Sequence, residues 1–418
     1  MIERKIAPEI KQIEKINFIS PDKFLLSENA SFFWMKEVPN DTARLDFTFD
    51  AGTIRDSNLI SSLVAGLLFS GTAKKSSTEI HNELDYLGAF FDVGLSHESV
   101  MVSFYALNKN MLAVFKIFED AIENVIFPQN EIDELIRERK QKLQVNLEKV
   151  GFLAQREFQK NLFEGTDYAR QIQLQDYDAA KRTEILEFHD KNYKKGLRKV
   201  VLVGNLDKSD VNLIIENSKK WAQTNSQVFE SNFKNKIGVS TIEKKDAVQS
   251  AIRIGKTLFN KNHQDFIGIS ILNTILGDYF GSRLMKNIRE DKGYTYGISS
   301  MEVELARSGY FLIGTEVGTN QKDLALAEIK YEIERLQNEL IPNVELDLVR
   351  NYLLGQLLKG ADGPYAMSDL FLSVDAYNLD FTFYDEYIDK IQNIEPKELQ
   401  ELAIKYLNWD TMSIVTAG

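Results

Sequence analysis

"FPQNEIDELIR", residues 127–137, is written twice in this chain. It returns as "IPNVELDLVR" at 341–350, with Pro128 and Pro342, Glu131 and Glu345, and Asp133 and Asp347 each 214 positions apart. Three matches at one offset point to an internal repeat. The offset also holds where the halves end: "NYKKGLRKVVLVG" closes on Gly204 and "KYLNWDTMSIVTAG" on Gly418, again 214 apart. Upstream, "VSFYALNKNMLAVFKIFEDAIENV" parallels "YFLIGTEVGTNQKDLALAEIKYEIERL", in each case a strand, a polar turn and a helix. The chain reads as a duplicated domain.

Periodicity sketches each half. "ARLDFTFDAG" and "SVMVSFYAL" alternate as half-buried strands, and Asn58 to Ser70 has the length and apolar density of a buried helix. Ser76 and Glu79 form a capping box ahead of Ile80, Leu84 and Leu87, with Gly88 as the stop. Met111 to Val125 puts Leu112, Phe115, Phe118 and Ile122 on one helical face, and a long helix follows Pro128. Strands and helices in this order predict an α+β fold of two homologous domains, each a mainly antiparallel sheet with helices packed on one face. The divisions are residues 1–222, a polar linker at 223–245, and 246–418.

Composition narrows the function classes. A length of 418 residues suits two domains of roughly 200. No apolar run approaches the ~18 residues of a membrane span, and the charged start "MIERKIAPEIKQIEK" lacks a signal-peptide core, so the cytoplasm is the expected compartment. Net charge of −12 argues against nucleic acid or an anionic membrane as partner. With zero cysteines, disulfides, thiolate catalysis and Cys-based zinc sites are ruled out.

Imidazole chemistry has four residues to draw on: His81, His97, His189 and His263. None has another within a helical turn, so no local His pair can hold a metal. His81, on the polar side of its helix, and His97, in the acidic "SHES" turn, read as surface residues. The Gly-Lys-Thr of "SAIRIGKTL" imitates a phosphate loop, but its first glycine position is Ser250 and the segment reads as a strand. A more specific pattern is "LGDYFGSRLMKNIREDKGYTYGISS", Leu276 to Ser300. A helix from about Ser282 to Arg289, a turn at Gly293 and a departing strand place Arg289 and Tyr296 on either side of the turn. A guanidinium and a phenol so placed can donate hydrogen bonds to one oxygen. The plainer alternative pairs Arg289 with Glu290 or Asp291 and packs Tyr296 on the sheet.

This stretch resembles the second-domain signature of the pitrilysin/insulinase-type metallopeptidases, the inverzincins: Ser-Arg-Leu, several residues, Arg-Glu, then Gly-x-x-Tyr. "ERKIAPEI", "FDAGTIRD", "LLFSGTAKKSSTEIHNELDYLGAFFDV" and the duplication are similar to the smaller bacterial members and to mitochondrial processing peptidase subunits. In catalytic members the helix before the Phe-x-Gly-Thr exit carries His-x-x-Glu-His, two zinc ligands around a general base. Here "SLVAG" occupies those places, Ser62, Leu63, Val64, Ala65 and Gly66, and the family's third ligand is expected near Leu143 or Gln144. Zinc catalysis needs three ligands, an open position and a base. The resemblance therefore implies a chain without a cofactor of its own.

What it implies for function is a non-catalytic subunit that supplies Arg289 and Tyr296 in trans to a zinc-bearing paralogous partner hydrolysing oligopeptides, as a heterodimer or larger, with a homodimer open in isolation. The alternative is a structural or peptide-binding protein of the same fold, as the core subunits of a respiratory complex are within this superfamily.

Overall fold

A computed structural model describes residues 13, 15–36, 38–56, 59–223 and 233–418. The "ERKIAPEI" stretch, the Asn58 start of the first helix and most of the polar run around 223–232 lie outside the described residues. The first half runs β1 (Asp22–Ser27), β2 (Ala30–Met35), β3 (Thr42–Phe49), α1 (Leu59–Leu67), α2 (Ser77–Tyr86), β4 (Phe90–Leu95) and β5 (Val100–Leu107). It continues through α3 (Asn108–Asn124), α4 (Gln129–Leu147), α5 (Val150–Leu162), α6 (Leu174–Ala179), α7 (Arg182–Asn192), β6 (Leu197–Val203) and α8 (Lys208–Ser218). The second half has β7 (Gly238–Ile242), β8 (Gln249–Leu258), α9 (Phe266–Asn273), β9 (Thr295–Glu304) and β10 (Gly309–Gly318). After these come α10 (Lys322–Asn338), α11 (Asn343–Gly360), α12 (Pro364–Asp375), α13 (Thr382–Asn393), α14 (Pro396–Tyr406) and β11 (Ser413–Ala417).

The duplication is visible in the sheets. The first has the order β1-β2-β6-β3-β5-β4 and the second β7-β11-β8-β10-β9. Apart from the extra β1 the two orders are the same, each with one parallel pair, β2 with β6 and β7 with β11, among antiparallel neighbours. This is the α+β architecture expected from the alternating pattern. The Ser76–Glu79 capping box forms, and Gly88 ends α2 at φ +63°. Phe47, Phe104, Phe115 and Phe118 are fully buried around Trp221, and the Phe47 and Phe118 rings lie 4.6 Å apart. Each such side chain contributes about 1.5–3 kcal/mol on leaving water.

Two features depart from the sequence reading. The segment assigned to the linker contains β7, whose backbone pairs in register with β11, Gly238 opposite Ser413. Its short run "GVSTI" alternates half-buried and exposed, too brief for the pattern to stand out beside the polar residues around it. Helices also cover both faces of each sheet, because the halves exchange them. α5, in the first half, lays Ala154, Phe158 and Leu162 against Ala251, Leu312 and Val415 of the second sheet. α12, beginning 214 residues after α5 begins, sets Phe371 on Phe33, Met35 and Val201 of the first. Polar contacts fasten the exchange: Arg44 in β3 binds Asp369 at 2.6 Å, and Asn161 donates to Ser240 Oγ at 3.1 Å. The two halves thus form one packed unit rather than two independent cores.

Candidate functional site

The face of α1 that ends in the Gly71–Thr72 exit, where Gly71 sits at φ +136°, opens on a cavity of about 470 Å³. Its walls come from α1 (Ser62, Ala65, Gly66), β4 (Asp92) and α4 (Glu138, Arg139). Facing Ser62 and Gly66 is Arg139, whose Nη1 donates to Ser62 Oγ. A Cβ built on Gly66 would stand 2.6 Å from Arg139 Nη2 and 3.0 Å from Leu135 Cδ2, so the guanidinium lies against the bare backbone of α1. Burial lowers the Arg139 pKa, with the fields of Tyr177 and Glu138 opposing that shift. Arginine still keeps its charge.

The residue of α4 that faces α1 is therefore Arg139, one helical turn before the expected position. Leu143, four residues on, points into the core and Gln144 is exposed to solvent. A 3.6-residue turn carries positions 139 and 143 on one face and swings 144 away. That four-residue spacing, Leu135, Arg139, Leu143, was the readable signal in the sequence. A hydroxyl, a methyl, a bare backbone and a guanidinium do not fit zinc: none is an anionic or imidazole ligand, and the last repels a cation. Among the described residues no cluster of three or more His, Asp or Glu side chains is placed to hold a metal ion.

The histidines fall elsewhere. His81 is exposed at the cavity rim, its Nδ1 2.8 Å from the Ser77 carbonyl, as expected of a surface residue. His97, read as a surface residue, is half-buried, bonded to Thr53 Oγ1 at 3.2 Å, and burial lowers its pKa. His189 is enclosed between Phe127 and Tyr193, which pushes its pKa down to about 3.

The second element lies in the other half. Residues Met285–Asp291 wind as a π-helix, a geometry frequent at functional sites, and Gly293 turns the chain at φ +65° into β9. Arg289 and Tyr296 are brought together across that turn. The Arg289 guanidinium lies 4.5 Å from the Phe280 ring centroid and 5.5 Å from that of Tyr296. Neither Glu290 nor Asp291 pairs with it, and among the described residues Arg289 has no carboxylate partner. Tyr296 is 93% exposed and Phe280 63%, while Arg289 is half-buried, and Tyr296 stands at the mouth of a groove of about 630 Å³ floored by β8 and β10.

Fold and site together define a duplicated two-sheet protein whose α1 presents Ser62, Ala65 and Gly66 to the cavity. Residues 33–176 match the family model described as insulinase (peptidase family M16), and residues 179–353 the one described as peptidase M16 inactive domain. The chain belongs to this family. It is 24% identical over 306 residues to an uncharacterized zinc protease of Rickettsia felis, covering 71% of this chain and 74% of that protein. A non-peptidase homolog, YmxG, of Helicobacter pylori is 22% identical over 84% of this chain and 82% of its own length. Among solved structures, the M16 inactive domain from Pseudomonas fluorescens superposes with a TM-score of 0.86 at 23% identity, over 95% of this chain and 98% of that one.

Proposed function

We propose that this chain is a non-catalytic subunit of a zinc-dependent peptidase and lends Arg289 and Tyr296 to the active site of a zinc-bearing paralogue. The observation that carries this reading is the state of the pair. A guanidinium with no carboxylate partner among the described residues is held between two exposed aromatic rings, Phe280 and the phenol of Tyr296. When a peptide carbonyl is attacked, negative charge grows on its oxygen, and donors already aimed at that point stabilise the transition state more than the ground state. Arg289 brings a permanent charge and a planar fork, and Tyr296 a neutral hydroxyl. Arg139 supports the complementary half of the reading, because it lies against the α1 face where this family's catalytic members hold their metal. Zinc is then the partner's, the assembly a heterodimer or larger, and the compartment the cytoplasm, with which an absence of cysteine is consistent.

The test is Arg289→Ala and Tyr296→Phe in this chain, assayed on oligopeptides with the zinc-bearing partner. Each change is expected to lower kcat by on the order of 10²-fold, as loss of one oxyanion donor does, with assembly intact by sedimentation. Full activity of both variants in an intact complex refutes the contribution in trans. It would leave the second reading, peptide binding without cleavage, which is favoured by the open cavity beside β4, an edge strand with one free side.

A further inference from the structure

The duplication repeats the cavity as well as the sheet. In the second half, α9 with its π-type extension Thr274–Asp278, β9 and α11 occupy the places of α1, β4 and α4, and they enclose about 370 Å³. Leu353, 214 residues after Arg139, lines its wall. Followed through the paired strands, Phe311 of β10 holds the place of Val100 in β5, and Glu302 pairs with Phe311 as Leu95 pairs with Val100. Glu302 therefore stands where the first half has Leu95, and Glu304 follows at the hairpin end of the strand. A carboxylate has replaced an apolar side chain on the cavity side of an edge strand.

The charges inside do not balance. Asp278, Glu302 and Glu304 line the cavity, and the cation among them is Lys261, whose ammonium pairs with Glu304 and lies 5.3 Å from the Phe266 ring centroid. Ser270 bonds the Glu302 carboxyl and Tyr377 the Glu304 carboxyl, yet among the described residues three buried oxygens lack a hydrogen-bond partner: Glu302 Oε1, Glu304 Oε2 and Asn273 Oδ1. Asn273 is only 6% exposed and lines the same cavity, and among the described residues its Oδ1 has no hydrogen-bond partner. Buried polar atoms are almost always paired, so a group of orphans in one cavity calls for a missing counterpart. The orphans lie beside three carboxyls and one ammonium, with Glu302 holding its proton up to about 8, so a ligand that is both a multiple donor and a cation matches the site best once that proton leaves. The aromatic wall formed by Phe383, Tyr384 and Tyr387 suits an organic cation, whose stem packs on the rings.

We propose that this second-half cavity binds a primary ammonium or guanidinium group, with Glu302, Glu304 and Asn273 accepting its hydrogen bonds. The site is separate from the Arg289–Tyr296 pair and does not depend on that pair's role. Burial pushes the Glu302 carboxyl up to about 8, with Glu304 and Asp278 acting in the same direction and Lys261 and Ser270 against it. Tyr384 and Tyr387, both pushed up to about 12 by burial, stay protonated through the working range. A bound cation favours ionised Glu302, so binding releases a proton and tightens as pH rises from about 7 to about 9.

The experiment is calorimetric titration of the full chain with Nα-acetyl-arginine methylamide, Nα-acetyl-lysine methylamide and putrescine at about pH 7 and about pH 9, with the citrulline analogue as the neutral comparator. At least one cation is expected to bind at least about tenfold more tightly than the citrulline analogue, and more tightly at the higher pH. Binding of the blocked amino acids identifies a basic peptide side chain as the source, and binding of putrescine alone a free amine. Glu302→Gln is expected to weaken binding about tenfold and to abolish the proton release, and Asn273→Leu to weaken it several-fold. The proposal is overturned if no cation gives a saturable heat at the higher pH. Binding that Glu302→Gln leaves unchanged, in a variant of native circular dichroism, overturns it equally.

Discussion

Writing His-x-x-Glu-His into α1 tests the proposal that Arg139 stands where a metal would be held. The triple change Ser62→His, Ala65→Glu, Gly66→His writes the two imidazoles and the base back into α1. The Cβ of residue 66 then falls 2.6 Å from Arg139 Nη2 and 3.0 Å from Leu135 Cδ2, both inside normal contact. Overpacking of this kind costs about 1–3 kcal/mol, and the flexible arginine can relieve part of it by swinging toward Glu138. Charge is the larger obstacle. Two unit charges ~4 Å apart interact by about 4 kcal/mol at an effective dielectric of ~20, so a divalent ion beside the guanidinium meets roughly twice that in repulsion. Eight kcal/mol is about six decades of affinity at ~1.4 kcal/mol per decade. Elemental analysis and a fluorogenic peptide assay are expected to find neither stoichiometric zinc nor hydrolysis in the triple variant. Adding Arg139→Glu removes the repulsion and supplies a carboxylate on the facing helix, and that quadruple variant is expected to take up zinc. Tight zinc binding by the triple variant with Arg139 intact would refute the assignment of Arg139 to the metal's position.

The exchanged helices should be as important to stability as either sheet. Phe371→Ala in α12 and Phe158→Ala in α5 each empty a cross-half contact and are expected to cost about 3–5 kcal/mol, read by denaturant unfolding as one cooperative transition. Separate transitions for the two halves would show that the exchange does not couple them. Gly255→Ala brings a Cβ within 1.9 Å of the Phe311 carbonyl oxygen and 2.9 Å of Phe158 Cζ, and the expected result is loss of soluble folded protein. Glu302 carries a pH signature. Its folded carboxyl titrates at about 8 against an ordinary 4.5, so between those values the folded state holds the extra proton, and stability falls as pH rises through that window. Glu302→Gln should therefore match the parent in Tm near pH 4.5 and exceed it by a few degrees near pH 8. A constant difference at all pH values would place the cause elsewhere.

Much of this molecule could be read without coordinates, because duplication and periodicity are properties of order along the chain. The 214-residue offset announced two similar sheets, the Ser76–Glu79 box and Gly88 bounded a helix, and "SLVAG" fell on the helix expected ahead of the Gly71–Thr72 exit. The Arg289–Tyr296 turn was legible for the same reason: its parts are neighbours in sequence, joined by one glycine at positive φ. β7 was missed because five residues of weak alternation carry little signal until a partner strand supplies the hydrogen bonds.

Through-space facts had to wait for the tertiary structure. Nothing local in "VGFLAQREFQKNL" states that α5 will cover the other half's sheet, since its apolar face fits any apolar surface and the choice is made by where the chain returns. Arg139 against Gly66, in place of Gln144, depends on how two helices rotate about their axes when they pack, a matter of one residue in register. The second cavity is the clearest case. Asn273 and Asp278 at the end of α9 and its extension and Glu302 and Glu304 in β9 come from two separate stretches of sequence, and only burial together, with one lysine between them, turns them into a site with unpaired oxygens. Sequence fixes which groups exist and what local shapes they favour, whereas charge, solvation and missing partners are set by distance, which folding alone decides.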